Sequence, residues 1–289
     1  MQLYHHPFSL DSQKVRLALE EKGIDYTSYH VNPLTGKNMD AFFFRKNPSG
    51  KIPVLQNGSH IIYDTTEIIQ RLNMLFWIII SNQCLDMRFQ IMISNQPITP
   101  CKWNRSRKYI ERIAETVSSG GNSTTLSSDV IEWTHKLQEC DSKHFTLFHI
   151  PAKYRLYVSK YLRHVIIARM AESPNLASDY HRKLKEAYET DDKMKNVEVL
   201  IQSKDHLVKL LDELEVKLGE TSYLGGVEFT LANVMVIPVL ARLELLKLED
   251  EYINIRPNLA DYWVVVKQRP SYKKVIGRYF DGWRKRKHY

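Results

Sequence analysis

The chain is 289 residues long, enough for one large domain or two ordinary ones with a substantial core. It is 43% hydrophobic and 26% charged, with neither glycine nor proline in excess, the make-up of a soluble globular protein. Three cysteines, none in a C-x-x-C or Cys/His cluster, exclude a disulfide framework and a structural metal, and fit the reducing cytoplasm.

The opening residues, MQLYHHP, lack a basic region or a long apolar stretch, so no signal peptide is expected. MQLYHH predicts a short strand. SLDSQKVRLALEEKG predicts a helix with Val15, Leu17, Ala18 and Leu19 apolar and Gly23 as its stop. IDYTSYHVN predicts a second strand, its apolar residues near period two. PVL and HIIY predict two more, joined at Asn57-Gly58, where both residue types tolerate positive φ. DTTEIIQ then opens a helix that Asp64 or Thr65 can cap. The order β-α-β followed by β-β-α describes a thioredoxin-like unit over residues 1–117.

Within that unit, residues 71–108 are foreign in composition. They contain no Ala, Gly, Glu or Val, hold Cys84 and Cys101, and repeat Ile-Ser-Asn-Gln. Their longest apolar run, Leu72 to Ile80, is about half of what a spanning helix needs. With the segment excised, Ile68, Ile110, Ile113 and Ala114 fall on one helical face. The segment reads as an insertion, either translated non-coding sequence or a genuine surface loop. A Gly/Ser/Thr-rich linker follows at 118–128, and residues 129–276 predict an all-helical bundle with long amphipathic runs.

The net charge of +8 is concentrated at the end. From Lys267 onward nine Lys and Arg face a single acid, Asp281, leaving the rest of the chain near neutral and arguing against a nucleic-acid-binding body. The basic tail, 277–289, reads as a solvated helix end or as a weak contact with an anionic membrane surface, with Tyr279, Phe280 and Trp283 as anchors.

Three places can carry chemistry. Ser9 lies where the first strand meets its helix, at the positive end of the helix dipole. A hydroxyl there can hold a bound thiol as thiolate, or simply cap the helix, a role for which Asp11 and Ser12 compete. Pro53 opens a strand and is either an edge residue or a cis proline that turns the backbone of Ile52 toward a peptide ligand. Asp64 and Thr65 offer a carboxylate, a hydroxyl and free N–H groups to the amino and carboxylate ends of an amino acid, or serve only as caps.

The order of these segments resembles the glutathione transferase superfamily: HPFSLDSQKVRLALEEKG its catalytic-serine segment, NPSGKIPVL its cis-proline segment, and DTTEII its γ-glutamyl motif. YLGGVEFTLANVMVIPVL and RPNLADYWVVVKQRPSYKKV are similar to its capping-box and C-terminal helices. Details such as ARMAESPNLASDYHRKL resemble the plant class named for tetrachlorohydroquinone dehalogenase. The resemblance implies a thioredoxin-like α/β domain followed by an all-α bundle. It gives Ser9 the thiolate-stabilising role, Lys51 and the Ile52 backbone contact with glutathione, Pro53 the cis bond, and Asp64 and Thr65 the γ-glutamyl end. It further implies conjugation of glutathione, as cosubstrate, to a hydrophobic electrophile held between Phe8 and the bundle. No tightly bound cofactor or metal is implied, and a symmetric homodimer is. The alternative is a non-catalytic ligand carrier or membrane-surface adaptor, peripheral at the plasma membrane. Two departures stand out. Asp11 replaces the catalytic cysteine of the bacterial dehalogenases, and Thr230 is followed three residues on by Asn233 rather than an acid.

Overall fold

A computed structural model describes residues 1–72, 128–140 and 142–280. Four short strands form one sheet: β1 (Gln2–His5), β2 (Thr27–His30), β3 (Val54–Asn57) and β4 (His60–Ile62), in the order β2-β1-β3-β4. β1 runs parallel to β2 and antiparallel to β3, and β3 is antiparallel to β4. This is the predicted thioredoxin-like arrangement. Helix α1 (Leu10–Glu21) is the crossover that a parallel β1–β2 pair requires.

Two apolar layers sandwich the sheet. Leu3 and Leu55 join Val15, Leu17, Ala18 and Leu19 of α1 in the main core, while Tyr4 and Val54 pack with Val31 and Phe43 on the other face. Phe43 belongs to the one-turn helix α2 (Ala41–Phe44). β2 is shorter than IDYTSYHVN suggests, and all four of its residues are exposed, because it is the sheet's edge. The hairpin also differs by one residue. Asn57 pairs with His60, so the loop is Gly58-Ser59 and only Gly58, at φ +60°, needs the left-handed region.

Helix α3 spans 65–72, and Asp64 Oδ1 caps it by accepting the N–H of Glu67 at 2.8 Å. Residues 71 and 72, the first two of the segment read as foreign, are helical and continue α3. Arg71 pairs with Glu67 one turn back at 2.7 Å, and Leu72 is fully buried in the main core beside Ile68 and Ile69. Leu72 stands four residues after Ile68, so the helix's own apolar face continues through it without excision. Residues 73–108, the linker up to 127 and the joining of Gln70 to Tyr109 lie outside the described residues.

The second half consists of helices joined by loops, and among its described residues the one β feature is an isolated bridge between Tyr223 and Gly226. It contains α4 (Ser128–Glu139), α5 (Ser142–Phe148), α6 (Ala152–Glu172), α7 (Ala177–Lys195), α8 (Val197–Glu220), α9 (Leu231–Leu245), α10 (Glu249–Tyr252) and α11 (Pro257–Gln268). Ser128, the last residue of the predicted linker, is already helical. α9 is the central rod, buried on every side from Ala232 to Ala241, as its continuous apolar run requires. α8 buries Leu207, Leu210, Leu211 and Leu214 at helical spacing. α6 is less amphipathic than expected, burying Ile166 but exposing Tyr154, Leu156 and Tyr157. With α7 it forms a hairpin docked on the first domain. Tyr180 stacks on Phe44 at 4.3 Å and donates to the Met39 carbonyl at 2.7 Å, and Arg169 pairs with Asp40.

The last helix, α12, opens at Pro270–Tyr272, passes through a π-helical turn at Lys273–Gly277 and reaches residue 280. It straps α1 from outside. Glu21 accepts from Arg269 Nε at 2.9 Å and Nη2 at 2.7 Å, Arg16 donates to the Val275 carbonyl at 3.1 Å, and Lys274 meets Glu20 at 2.8 Å. Phe280 is 2% exposed and stacks on Phe8 at 5.9 Å. The helix thus continues past Gly277, and Phe280 is a core residue, not a membrane anchor. Trp283 lies outside the described residues. Among those described, no helix is long and apolar enough to cross a membrane.

His5, fully buried in β1, lies 2.7 Å from Ser28 Oγ through Nε2, while its Nδ1 has no partner. Burial first, then electrostatic repulsion from nearby Arg16, His30 and His6, push its pKa down to about 3. That lies below the value of about 6.5 for an unfolded histidine, so folding favours the neutral ring. The contribution is complete above pH about 6.5 and is lost as the pH falls toward 3. Unfolding free energy is therefore expected to drop by up to about 1.4 kcal/mol per pH unit through this group. Denaturant titrations at pH 7 and pH 5 check it: His5→Gln should lose less stability on acidification than the parent, and equal losses would contradict the assignment.

Candidate functional site

Strand direction brings the three predicted segments together. β1 ends at His5, beside the start of β3, because Tyr4 pairs with Val54. β4 runs back along β3 and ends at the same edge, because Leu55 pairs with Ile62. The loop bearing Ser9, the strand entrance bearing Pro53 and the helix entrance bearing Asp64 and Thr65 thus share one end of the sheet.

Ser9 is the N-cap of α1 and half-buried, its Oγ accepting the N–H of Ser12 at a long 3.3 Å. That weak bond uses an oxygen lone pair and leaves the hydroxyl proton available to an external acceptor. Ser12 is fully buried and its Oγ accepts the N–H of His6 at 3.4 Å, so it cannot replace Ser9 toward a ligand. Asp11 faces solvent and pairs with Lys14 at 3.2 Å. The loop before Ser9 is held through its carbonyls: Gln13 donates to Pro7 O at 2.7 Å, and Arg242 of α9 donates to Phe8 O. Phe8 is less open than predicted, since one ring face carries Phe280.

The Ile52–Pro53 peptide bond is cis. Lys51 is exposed and Ile52 half-buried. Asn47, fully buried, anchors them: its Nδ2 donates to Lys51 O at 2.9 Å, and its Oδ1 accepts from Ser49 N at 3.1 Å and Ser49 Oγ at 2.7 Å. Ser49 Oγ in turn accepts the N–H of Lys51 at 3.2 Å. Asn38 donates to Gly50 O at 2.8 Å. Sequence reasoning passed over both asparagines. The Asn-Pro-Ser-Gly cluster next to Lys51 was the available signal for Asn47, since such residues build side-chain-stabilised turns.

A cavity of about 310 Å³ adjoins Lys51, between residues 47–49, Tyr63 and α7. Its far wall carries Arg182, Lys183 and Glu186, brought there by the docking of Tyr180. Lys183 is tied to Glu186 at 2.9 Å and Arg182 to Asp179 at 2.7 Å. At the next segment, Asp64 has one carboxylate oxygen on the Glu67 N–H, leaving the other toward solvent beside Thr65.

The departure at Asn233 also has a structural answer. Thr230 makes no side-chain cap; its Oγ1 instead accepts from Asn233 Nδ2 at 3.2 Å. Asn233 Oδ1 takes the Tyr262 hydroxyl at 2.9 Å and the Leu224 N–H at 3.3 Å. A neutral amide, fully buried, thereby joins α9 to α11 and to the loop before α9 without the desolvation cost of a carboxylate.

The family profile described as Glutathione S-transferase, N-terminal domain, matches residues 3–76, and that described as Glutathione S-transferase, C-terminal domain, matches residues 184–262. Over 285 residues the chain is 59% identical to Glutathione S-transferase TCHQD of Arabidopsis thaliana, covering 99% of this chain and 92% of that one. It is 23% identical over 274 residues to the Tetrachloro-P-hydroquinone reductive dehalogenase of Sphingobium chlorophenolicum, covering 94% and 93%. The crystal structure of glutathione transferase F7 from Populus trichocarpa has a TM-score of 0.57 at 18% identity, covering 95% of this chain and 96% of that one, a likeness of fold. Both halves are matched and a relative is aligned along nearly the whole length, so the chain belongs to the glutathione S-transferase family.

Proposed function

We propose that the protein conjugates glutathione to a hydrophobic electrophile, with Ser9 stabilising the thiolate. The convergence of the Ser9, Pro53 and Asp64 segments at one end of the sheet carries this reading. Lys51 and the Ile52 backbone hold the peptide chain of glutathione, Pro53 shapes the strand entrance, and Asp64 and Thr65 receive the γ-glutamyl ammonium and carboxylate. The thiol sulfur then lies against the Ser9 hydroxyl and the positive end of α1. A lowering of the thiol pKa by about 2 units corresponds to roughly 2.7 kcal/mol of preference for the thiolate. Attack on an electrophile carbon forms the C–S bond and expels the leaving group, or a proton is taken up if the substrate is an activated alkene. The same reading takes the protein as a cytoplasmic homodimer, the usual assembly of the family; light scattering that gave a 34.0 kDa particle would remove that part.

The test combines retention on immobilised glutathione with turnover of an activated aryl halide. Retention with conjugation supports the reading. Retention without conjugation, across a panel of aryl halides, epoxides and enones, identifies a carrier instead, and no retention removes glutathione altogether.

A further inference from the structure

Arg242 sits in the last turn of α9, yet its reach is toward the other domain. One guanidinium nitrogen donates to the Phe8 carbonyl, the peptide group that leads directly into Ser9. Its Nε is buried and has no partner. Among the described residues no carboxylate pairs with it, and the acids around it are engaged elsewhere. Glu244 on the same helix serves Trp263 at 2.9 Å and Lys267 at 3.2 Å. On α1, which packs along α9, Asp11 serves Lys14, Glu20 serves Lys274 and Glu21 serves Arg269. Burial alone acts on the guanidinium, pushing its pKa down to about 10, so it remains a cation at neutral pH.

Arg242 is half-buried, and its buried, unpartnered Nε and the lack of a carboxylate partner among the described residues are costs that a neutral residue of similar size would avoid if only packing mattered. A single carbonyl does not offset those costs. What would offset them is an anion that arrives with the substrate. We propose that Arg242 is a positioning residue of the thiolate site, fixing the Phe8–Ser9 peptide and placing a permanent positive charge where the glutathione sulfur becomes negative. The inference rests on the reading of Ser9 given above. In the step it assists, the thiol S–H proton leaves to solvent, the electron pair stays on sulfur, and the Ser9 hydroxyl donates to it. Arg242 touches neither sulfur nor electrophile and acts through the loop and through its field, which is strong in a site shielded from water.

The experiment titrates the thiolate absorbance of glutathione bound to the parent, to Arg242→Gln and to Arg242→Lys, with thermal melts of all three. Gln can keep the hydrogen bond to Phe8 O without the charge, whereas Lys keeps the charge. In Arg242→Gln the bound thiol should titrate about one unit higher, with kcat/KM at pH 6.5 down about tenfold and recovering toward pH 9. Its melting temperature should change little, because the charge removed is half-buried and has no carboxylate partner among the described residues. Arg242→Lys should keep the thiol value within a few tenths of the parent's. An Arg242→Gln protein that melts lower while its thiol titrates as in the parent would make Arg242 a mere interdomain strap and overturn the proposal. If Arg242→Gln does not fold, an Arg242→Lys thiol that titrates like Arg242→Met decides against it equally. A parent protein whose bound thiol titrates like free glutathione overturns the Ser9 reading first, and this inference with it.

Discussion

Ser9→Ala is expected to lower conjugation kcat/KM by about 10²-fold, in the range seen when a single hydrogen-bond donor to a developing anion is removed. The effect arises because the Ser9 hydroxyl keeps its proton free for an acceptor outside the chain, while the oxygen accepts only a long bond from Ser12. Ser12 cannot compensate, since it is sealed beneath the loop against the His6 N–H. The same substitution removes the cap of α1, so stability should fall by about 1 kcal/mol as well. Ser9→Thr separates the two roles by retaining both cap and donor, and it should recover most of the activity and the melting temperature. Activity that survives in Ser9→Ala, together with a lower melting temperature, would leave Ser9 a helix cap and nothing more.

Phe280→Ala should destabilise the protein by about 3–5 kcal/mol, the range for emptying a fully buried aromatic site. The ring lies parallel to Phe8, so the loss falls on the loop that carries Ser9 as well as on α12. Chemical denaturation of purified protein measures the global term. A shift in glutathione affinity under conditions where the variant is still folded measures the local one. A loss below about 1 kcal/mol would mean that the aromatic stack contributes little and that the chain end is a solvated tail after all.

The thioredoxin-like half was legible because its signals are local. The apolar residues of α1 follow a helical period, Asn-Gly marks a hairpin to within one residue, and Asp64 precedes its helix as a cap should. The meeting of Ser9, Pro53 and Asp64 was implied by the resemblance, and the pairings of β1, β3 and β4 bring their segments to one end of the sheet. What escaped was set by contacts between residues far apart in the chain. Phe280 sits among cations and looks like a solvated residue until Phe8 is placed against it. Arg242 occupies an apolar helix where nothing in its neighbourhood announces a carbonyl from residue 8. The burial of Leu72 was obscured because it begins an apolar run of foreign composition, although it stands four residues after Ile68 on the buried face. Asn47 was hidden in a cluster that reads as an ordinary turn, and only its burial shows that it anchors Lys51.

The clasp between α1 and α12 has a consequence for how the protein is made. Synthesis delivers α1 among the first residues and its covering partners, Arg269 to Phe280, more than two hundred residues later. Domains of most multidomain chains finish folding in the order in which they leave the ribosome. Here the first one cannot, because Arg16, Glu20 and Glu21 wait for the Val275 carbonyl, Lys274 and Arg269. Throughout elongation the nascent chain carries this surface of α1 uncovered, beside the loop that bears Ser9. A polypeptide ending before Arg269 would hold every proposed glutathione contact and still lack the residues that clasp Arg16, Glu20 and Glu21, so it is expected to be less stable than the full chain.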